Sequence, residues 1–441
     1  MRGGSATFGS RGKRLIRWIS LAISVPLCCS LPAACIEETF PAGGVTSSGA
    51  DETPESQAPN AAPPSNTSVP DETSRRYDGL TLDQWKERLK TLGPGVPDAD
   101  EAVPGLRTIA EDRLVEAEFR NQVTMMLGRL GKPGLAALPT LEKLLQEPPA
   151  DGAVPAVWSA KAIALLGPPA KDSVPVLIEV LEAPGTPVEA QMACLEALAR
   201  IGGHHPGAIP AVVRTLKRAA GNEEQPADRT LLMAAIDAFV LIGPGASIAV
   251  PELTRLLDQP QELIRLKVVE SLGAIGASAS PAANTLAEML IFDDSDAVRN
   301  AAAVTLAAIG PEGRELLLHL AADEEAGVRQ RAVEALSSVS PRDAELEKVL
   351  EQALSDEAAE VRLAAAVGLK SESKRRDEVL RVLTRLIAEP NRSVKLSAAN
   401  QLSSMQPDDD EWNRLRTEVE DQLDGESIRL WERIERMRGE R

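Results

Sequence analysis

The sequence predicts an all-α fold, an α-solenoid of about nine helix pairs with a capping helix at each end. Three observations predict it. Apolar residues recur at helical spacing, break residues recur every 30–41 positions, and the apolar inventory has few aromatic rings. Of 441 residues, 43% are hydrophobic but only 2% aromatic. A core built from Ala, Leu, Val and Ile suits close helix–helix contact better than a β-sandwich or an aromatic-lined pocket.

The chain opens with a basic segment, Arg2 to Arg17, then an apolar stretch from Trp18 to Ala34 interrupted by Pro26 and Pro32. That is too short and broken for a stable membrane span, so residues 1–35 are expected to be a secretory signal peptide. Residues 36–76 are dense in Pro, Ser, Thr, Gly and Glu and nearly devoid of large apolar side chains. They cannot bury enough surface to offset ordering entropy and are expected to form a disordered linker.

Helices begin after that, in residues 77–441. "LTLDQWKERLKTL" (80–92) places Leu82, Trp85, Leu89 and Leu92 among charged residues, as a solenoid's polar-faced N-terminal cap should. Breaks follow at Gly93, Gly131, Gly167, Gly202, Gly243, Gly276 and Gly310, then at Ser340, Ser371 and Gln406. Each interval has room for two short helices and two turns.

First helices read "LPTLEKLL" (138–145), "VPVLIEVL" (174–181), "IPAVVRTL" (209–216) and "VPELTRLL" (250–257). Their prolines sit eight residues after the break glycine, in the first helical turn, where a missing N–H has no partner to lose. Second helices carry one apolar stripe. In "SDAVRNAAAVTLAAIG" (295–310) it is Val298, Ala302, Leu306 and Ile309. At the far end, "ESIRLWERIERMRGER" places Ile428, Trp431 and Ile434 on one face, as a C-terminal cap should.

The first-helix "PxLxxLL" and second-helix "VRxxAxxxL", joined by an acidic turn, resemble HEAT repeats, in their shorter form those of the phycobilin-lyase type. The resemblance covers residues 78–438. It also implies a ladder in which each turn acid meets a basic residue of its own or the next repeat: Asp293 and Arg299, Asp323 and Arg329, Asp356 and Arg362, Glu389 and Lys395. The N-terminal repeats are expected to lack this pair, and exposed pairs would contribute about 0.3–1 kcal/mol each. "LPAAC" (31–35) is similar to a bacterial lipobox, which makes Cys35 a candidate lipidation site and places the protein in the periplasm or cell envelope. Ordinary cleavage near Ala34 is the alternative.

Candidate chemistry is sparse. The histidines are His204, His205 and His319; no Cys-x-x-Cys occurs, and Cys194 is the one cysteine of the repeats. "GGHHPG" reads as a polar turn, His319 as partly buried in a first helix, and Cys194 as a small core residue at the position Ala302 occupies in its own repeat. Some HEAT-like proteins are di-iron deoxyhypusine hydroxylases, which the resemblance ties to His-Glu pairs; no His-Glu dipeptide is present here. No catalytic, cofactor or metal residue is therefore assigned, and no cofactor is expected. A net charge of −18 argues against nucleic acid as the partner.

What remains is a surface for a protein or peptide. The second-helix positions expected to face the concave side, Leu266, Asn300, Gln330, Leu363 and Leu396, form a mixed stripe and are the candidate partner-binding residues. The expected function is a non-catalytic interaction scaffold; a lyase-like or accessory enzyme on the same repeats is the alternative.

Overall fold

A computed structural model describes residues 75–149, 154–222 and 225–439. The signal segment, Cys35 and linker residues 36–74 lie outside the described residues. Residues 75–91 and those from 92 onward form separate units.

In the first unit, α1 (Leu82–Leu89) starts at Thr81, whose hydroxyl accepts from the Gln84 N–H while the Gln84 side chain accepts from the Thr81 N–H. This reciprocal cap satisfies two N–H groups that a helix start leaves without partners. Trp85 is fully buried, and its indole N–H donates to the Tyr77 carbonyl at 2.8 Å.

The second unit is ten helix pairs in sequence. Repeats 1 to 5 are α2 (Ala99–Glu111) with α3 (Ala117–Arg129), α4 (Leu138–Leu145) with α5 (Pro155–Leu166), α6 (Val174–Glu182) with α7 (Val188–Ile201), α8 (Ala208–Ala220) with α9 (Pro226–Ile242), and α10 (Val250–Leu256) with α11 (Glu262–Ile275). Repeats 6 to 9 are α12 (Ala283–Phe292) with α13 (Asp296–Ala308), α14 (Pro311–Leu320) with α15 (Ala326–Ser337), α16 (Ala344–Ala353) with α17 (Ala359–Leu369), and α18 (Arg376–Leu386) with α19 (Arg392–Met405). A terminal pair, α20 (Asp409–Val419) and α21 (Gly425–Gly439), completes the unit. Among the described residues there is no strand, only the isolated bridge between Tyr77 and Leu80. The expected all-α solenoid is the observed fold.

Each first helix packs on its own second helix, and each second helix stacks on the next, from α3 through α21. The stripe Val298, Ala302, Leu306 and Ile309 is fully buried at this double contact. Small residues set how closely the second helices approach. A Cβ added to Gly128 in α3 would lie 2.6 Å from the Ala162 Cα in α5, and one on Gly368 in α17 would meet the Ser337 side chain of α15 at 2.2 Å. The stretch Pro226–Leu256, apolar enough in composition to cross a membrane, is here two helices, α9 and α10, divided at Gly243, with Leu232, Ile236 and Phe239 in the core.

The break glycines end helices as expected. Gly131, Gly167, Gly202, Gly243, Gly276 and Gly310 all have positive φ, a conformation that strains residues with a Cβ. Gln406, at the last break, also adopts the left-handed conformation. Gly93 does not; Gly95 takes the positive φ there.

Of the face expected to cap the C-terminal end, Trp431 and Ile434 are buried but Ile428 is exposed. Trp412 of α20 stacks on Trp431 of α21 with ring centroids 4.4 Å apart. Trp412 has no counterpart in the sequence reading, because a pairing between two helices leaves no periodic signal in either one. On α21 itself, Glu432 holds the position that Val269, Ala303, Val333, Ala366 and Ala399 hold in repeats 5 to 9, where the side chain is buried. Glu432 is exposed instead. Charge at that position disfavours the stacking of another helix on this face of α21.

Candidate functional site

The acid–base ladder exists, with a different wiring from the expected one. Arg329 donates from one terminal nitrogen to the Asp323 and Glu324 carbonyls of its own turn, at 2.8 and 3.0 Å. The rest of its fork grips the Asp356 carboxylate of the next repeat, both bonds at 2.9 Å. Arg265 repeats this on Gln259 O, Pro260 O and Asp293, and Arg362 on Asp356 O, Glu357 O and Glu389. Thus Asp293 and Asp356 each give a backbone carbonyl to the arginine six residues later and a carboxylate to the arginine of the preceding repeat.

Two expectations are corrected, and the observed wiring lacks one rung. Arg299 does not reach Asp323; it bonds Asp296 at 2.6 Å and the Asp293 carbonyl, so one rung is missing. The N-terminal region does not wholly lack the pair, because Arg120 bonds Ala110 O and Glu147. Phe119 and Ile264 precede Arg120 and Arg265, so a search for Val-Arg passes over both rungs. The pairs are also not fully exposed, although Asp424 keeps 58% of its side chain in solvent. Arg329 and Asp356 side chains are only 9% and 14% exposed, and Lys395, bonded to Asp424 at 2.8 Å, is 1% exposed. These groups sit between stacked second helices, where removing one partner strands the other in low dielectric.

Burial alone would raise the Asp293 and Asp356 carboxyls. Bidentate arginine contacts and the N–H groups of Ser295 and Ala358 outweigh it and hold both below the usual carboxylate range.

The chemically capable side chains do not converge. His204 is exposed, and the half-buried His205 accepts from the Gly207 N–H through Nδ1 at 3.0 Å. His319 is exposed rather than partly buried. It lines a groove of about 350 Å³ between α14 and α16 with Arg314, Glu315, Leu318, Glu345 and Val349; these two first helices do not close on each other as their second helices do. Cys194 is fully buried, and desolvation pushes its thiol up to about 12. No group of three or more metal-ligating side chains occurs among the described residues.

The five stripe residues lie on successive second helices that stack directly. Asn300 and Leu396 are exposed, while Leu266, Gln330 and Leu363 are half-buried. Asn300 accepts from Arg331 of the next repeat at 2.9 Å, and Gln330 donates to Glu334 of its own helix at 2.8 Å. The two polar members are thus engaged within the stack, and the three leucines are not hydrogen-bonding groups at all.

A family model of HEAT repeats matches residues 224–307 and, overlapping them, 283–370. HEAT repeats are found in this chain. No curated protein matches it in sequence. Solved structures similar to it include human deoxyhypusine hydroxylase in complex with glycerol, at 21% identity over 62% of this chain and 96% of that one, with a TM-score of 0.27. A chain from the structure in which Kap95p binding induces the switch loops of RanGDP to adopt the GTP-bound conformation matches at 13% identity, over 82% and 59%, with a TM-score of 0.40. YibA from E. coli matches at 19% identity, over 73% and 99%, with a TM-score of 0.29.

Proposed function

We propose that this chain is a non-catalytic scaffold, exported to the cell envelope, that holds a protein partner along its second-helix layer. One observation carries the reading. Among the described residues, eight of the eleven exposed large apolar side chains lie on second helices: Leu165, Met192, Val240, Leu241, Leu263, Val304, Leu396 and Ile428. Successive second helices stack on one another, so an exposed apolar side chain on most of them gives that layer apolar groups for a partner to cover. The repetition gives each added pair another strip of that surface.

The non-catalytic part rests on the adjacent His204 and His205 lying in a turn far along the array from His319, and on a cysteine whose thiol is protonated and enclosed. The likeness to short phycobilin-lyase-type repeats, supported by the motifs of residues 78–438, belongs to the same proposal, as do the secreted bacterial form and lipidation of Cys35, supported by the sequence of residues 1–76.

Affinity capture from envelope extract tests it. Three baits are compared: wild type, a variant with alanine at His204, His205, His319 and Cys194, and a variant with charges at Leu266, Leu363 and Leu396. The expected result is that the second keeps the partner and the third loses it, with helical content unchanged in both. Retention by the third together with loss of cellular activity in a folded second variant would replace the scaffold with an enzyme. For the anchor, Cys35→Ser should move the mature protein from the membrane to the soluble fraction; an unmodified mature N-terminus would refute lipidation.

A further inference from the structure

The second-helix layer changes character at its last helix. Each second helix presents its stripe residue together with the residues four and seven positions further on, which share one helical face. On repeats 5 to 9 that face carries charge only at Glu270, Glu334 and Lys370. Each is engaged within the stack: Glu270 with Lys267 at 3.3 Å, Glu334 with Gln330 at 2.8 Å and Lys370 with Gln401 at 3.0 Å. On α21 the same positions, the counterparts of Leu396, Asn400 and Ser403 in α19, are Arg429, Arg433 and Arg436. All three are exposed, and none makes a hydrogen bond or ion pair among the described residues.

The fold gives this row no stabilising role. Like charges one helical turn apart repel one another. A cation near a helix C-terminus complements the helix dipole, which accounts for Arg436 but not for Arg429 or Arg433. The neighbouring carboxylates are already held: Asp424 by Lys395, Glu426 by Arg392 at 3.0 Å, and Glu435 by Trp412 and Arg416 at 3.1 and 2.9 Å. Glu432 flanks the row, so three guanidiniums stand beside one open carboxylate in a chain of net charge −18.

Guanidinium forks pair with carboxylate or phosphate. The surroundings choose between them. Nucleic acid and anionic lipid surfaces bring dense phosphate over many contacts. They would also meet the exposed carboxylates of Asp294, Glu324, Glu325 and Glu357 in the turns of the same array. A short polypeptide segment brings carboxylates only where the arginines stand, over the roughly 10.5 Å that seven residues of α21 span.

We infer that α21 clamps the acidic end of a partner segment. Apolar residues of that segment cover Leu363 and Leu396, and a run of Asp or Glu beyond them is bound by Arg429, Arg433 and Arg436. This rests on the scaffold reading and adds to it the charge of one end of the partner and the direction in which the partner lies.

The test uses the full chain and short fluorescein-labelled peptides, read by anisotropy. All share a leucine-containing half; the other half carries glutamates, glutamines or lysines. The glutamate peptide should bind, more weakly as salt rises, and the other two should bind at least ten-fold more weakly. Arg429→Glu with Arg433→Glu should exchange the preference, gaining the lysine peptide; gain of binding cannot come from a failure to fold. Arg218→Glu, at an exposed arginine of α8, should leave the preference as it was. An unchanged preference in the α21 variant, or the same exchange in Arg218→Glu, would overturn the assigned site. No binding of the glutamate peptide would overturn the proposal itself. Phosphatidylglycerol vesicles bound as tightly as the glutamate peptide, and lost in the α21 variant, would overturn the choice of a polypeptide. The scaffold reading fails separately, in the capture experiment, if the leucine-stripe variant retains its partner.

Discussion

Repeats 2 to 5 and repeats 6 to 9 solve the same registration problem by different physics. In the first group the chain leaves each second helix through a positive-φ glycine into a 3₁₀ segment, such as Pro168–Ser173, Gly243–Ala249 and Gly276–Ala282, before the next first helix starts. Backbone geometry holds the joint, with buried alanines (Ala170, Ala246, Ala249, Ala279, Ala282) packed beneath it. In the second group α14 begins directly at Pro311, and the later joints are tied by charge: Arg329 to Asp356, Arg362 to Glu389, Arg376 to Glu411 and Lys395 to Asp424. Arg265 and Asp293 already add this device to the glycine elbow where repeat 5 meets repeat 6. A glycine elbow needs no titratable group, whereas a charge rung is directional and depends on solvent conditions. One solenoid can therefore carry two kinds of joint with different responses to pH and mutation.

The sharpest way to separate the halves is to remove the terminal stack. Trp431→Ala should cost about 3–5 kcal/mol, the range for a large buried aromatic, and in a linear array should loosen repeats 8 and 9 while repeats 2 to 5 stay protected. Hydrogen exchange by mass spectrometry checks this; an even rise across all repeats would contradict nearest-neighbour stacking.

Next comes the ladder. Arg329→Ala leaves Asp356 largely buried without its guanidinium, which should cost about 3 kcal/mol, the lower end for a broken buried pair because both side chains keep some exposure. Chemical denaturation should show a destabilised C-terminal phase. Gly243→Ala forces a Cβ into φ 63°, ψ −136° and should cost about 1–3 kcal/mol, with exchange rising first at the joint of repeats 4 and 5.

Acid should act unequally. Asp293, Asp356 and Glu411 have folded pKa values below their ordinary ones, and in repeats 2 to 5 Glu252, hydrogen-bonded by Lys217, is the one described carboxyl that is lowered. Their contribution is present above about pH 4, the unfolded carboxylate range, and is lost as pH falls through the lower folded values. Tryptophan emission from Trp412 and Trp431 should therefore change at higher pH than helix content in a fragment-resolved exchange measurement of repeats 2 to 5. The opposite order would place the acid-sensitive contacts in the wrong half. The smallest effect belongs to Cys194→Ala, under about 1.5 kcal/mol as a near volume-conserving change, with no change in partner capture.

Much of this was legible in the sequence, for identifiable reasons. Helix pairs and their order follow from local periodicity, and "LPTLEKLL" or "AAAVTLAAIG" bury the residues their spacing selects. The glycine breaks were legible because positive φ is a property of one residue's backbone. The 3₁₀ elbows were not, since "GPPAKDS" reads equally as an irregular turn. His319 was placed half-inside by the apolar residues around it, "LLLHLAAD", but its exposure depends on how far α16 stands from α14, a distance no local pattern encodes.

The same division holds for the surface. Composition and periodicity alone determined an acidic, aromatic-poor stack of helix pairs, because these properties depend on residue type and spacing within one repeat. Tertiary structure decided which carboxylate each arginine grips. Asp323 lies six residues from Arg329 and Asp356 twenty-seven, yet it is Asp356 that receives the fork, because stacking brings the next repeat's turn to the guanidinium while the nearer residue presents only its carbonyl. Stacking likewise turns residues 35 positions apart, such as Cys194's neighbour Met192 and its counterpart Val157, into members of one surface row, because a repeat's contacts lie between copies and not within them.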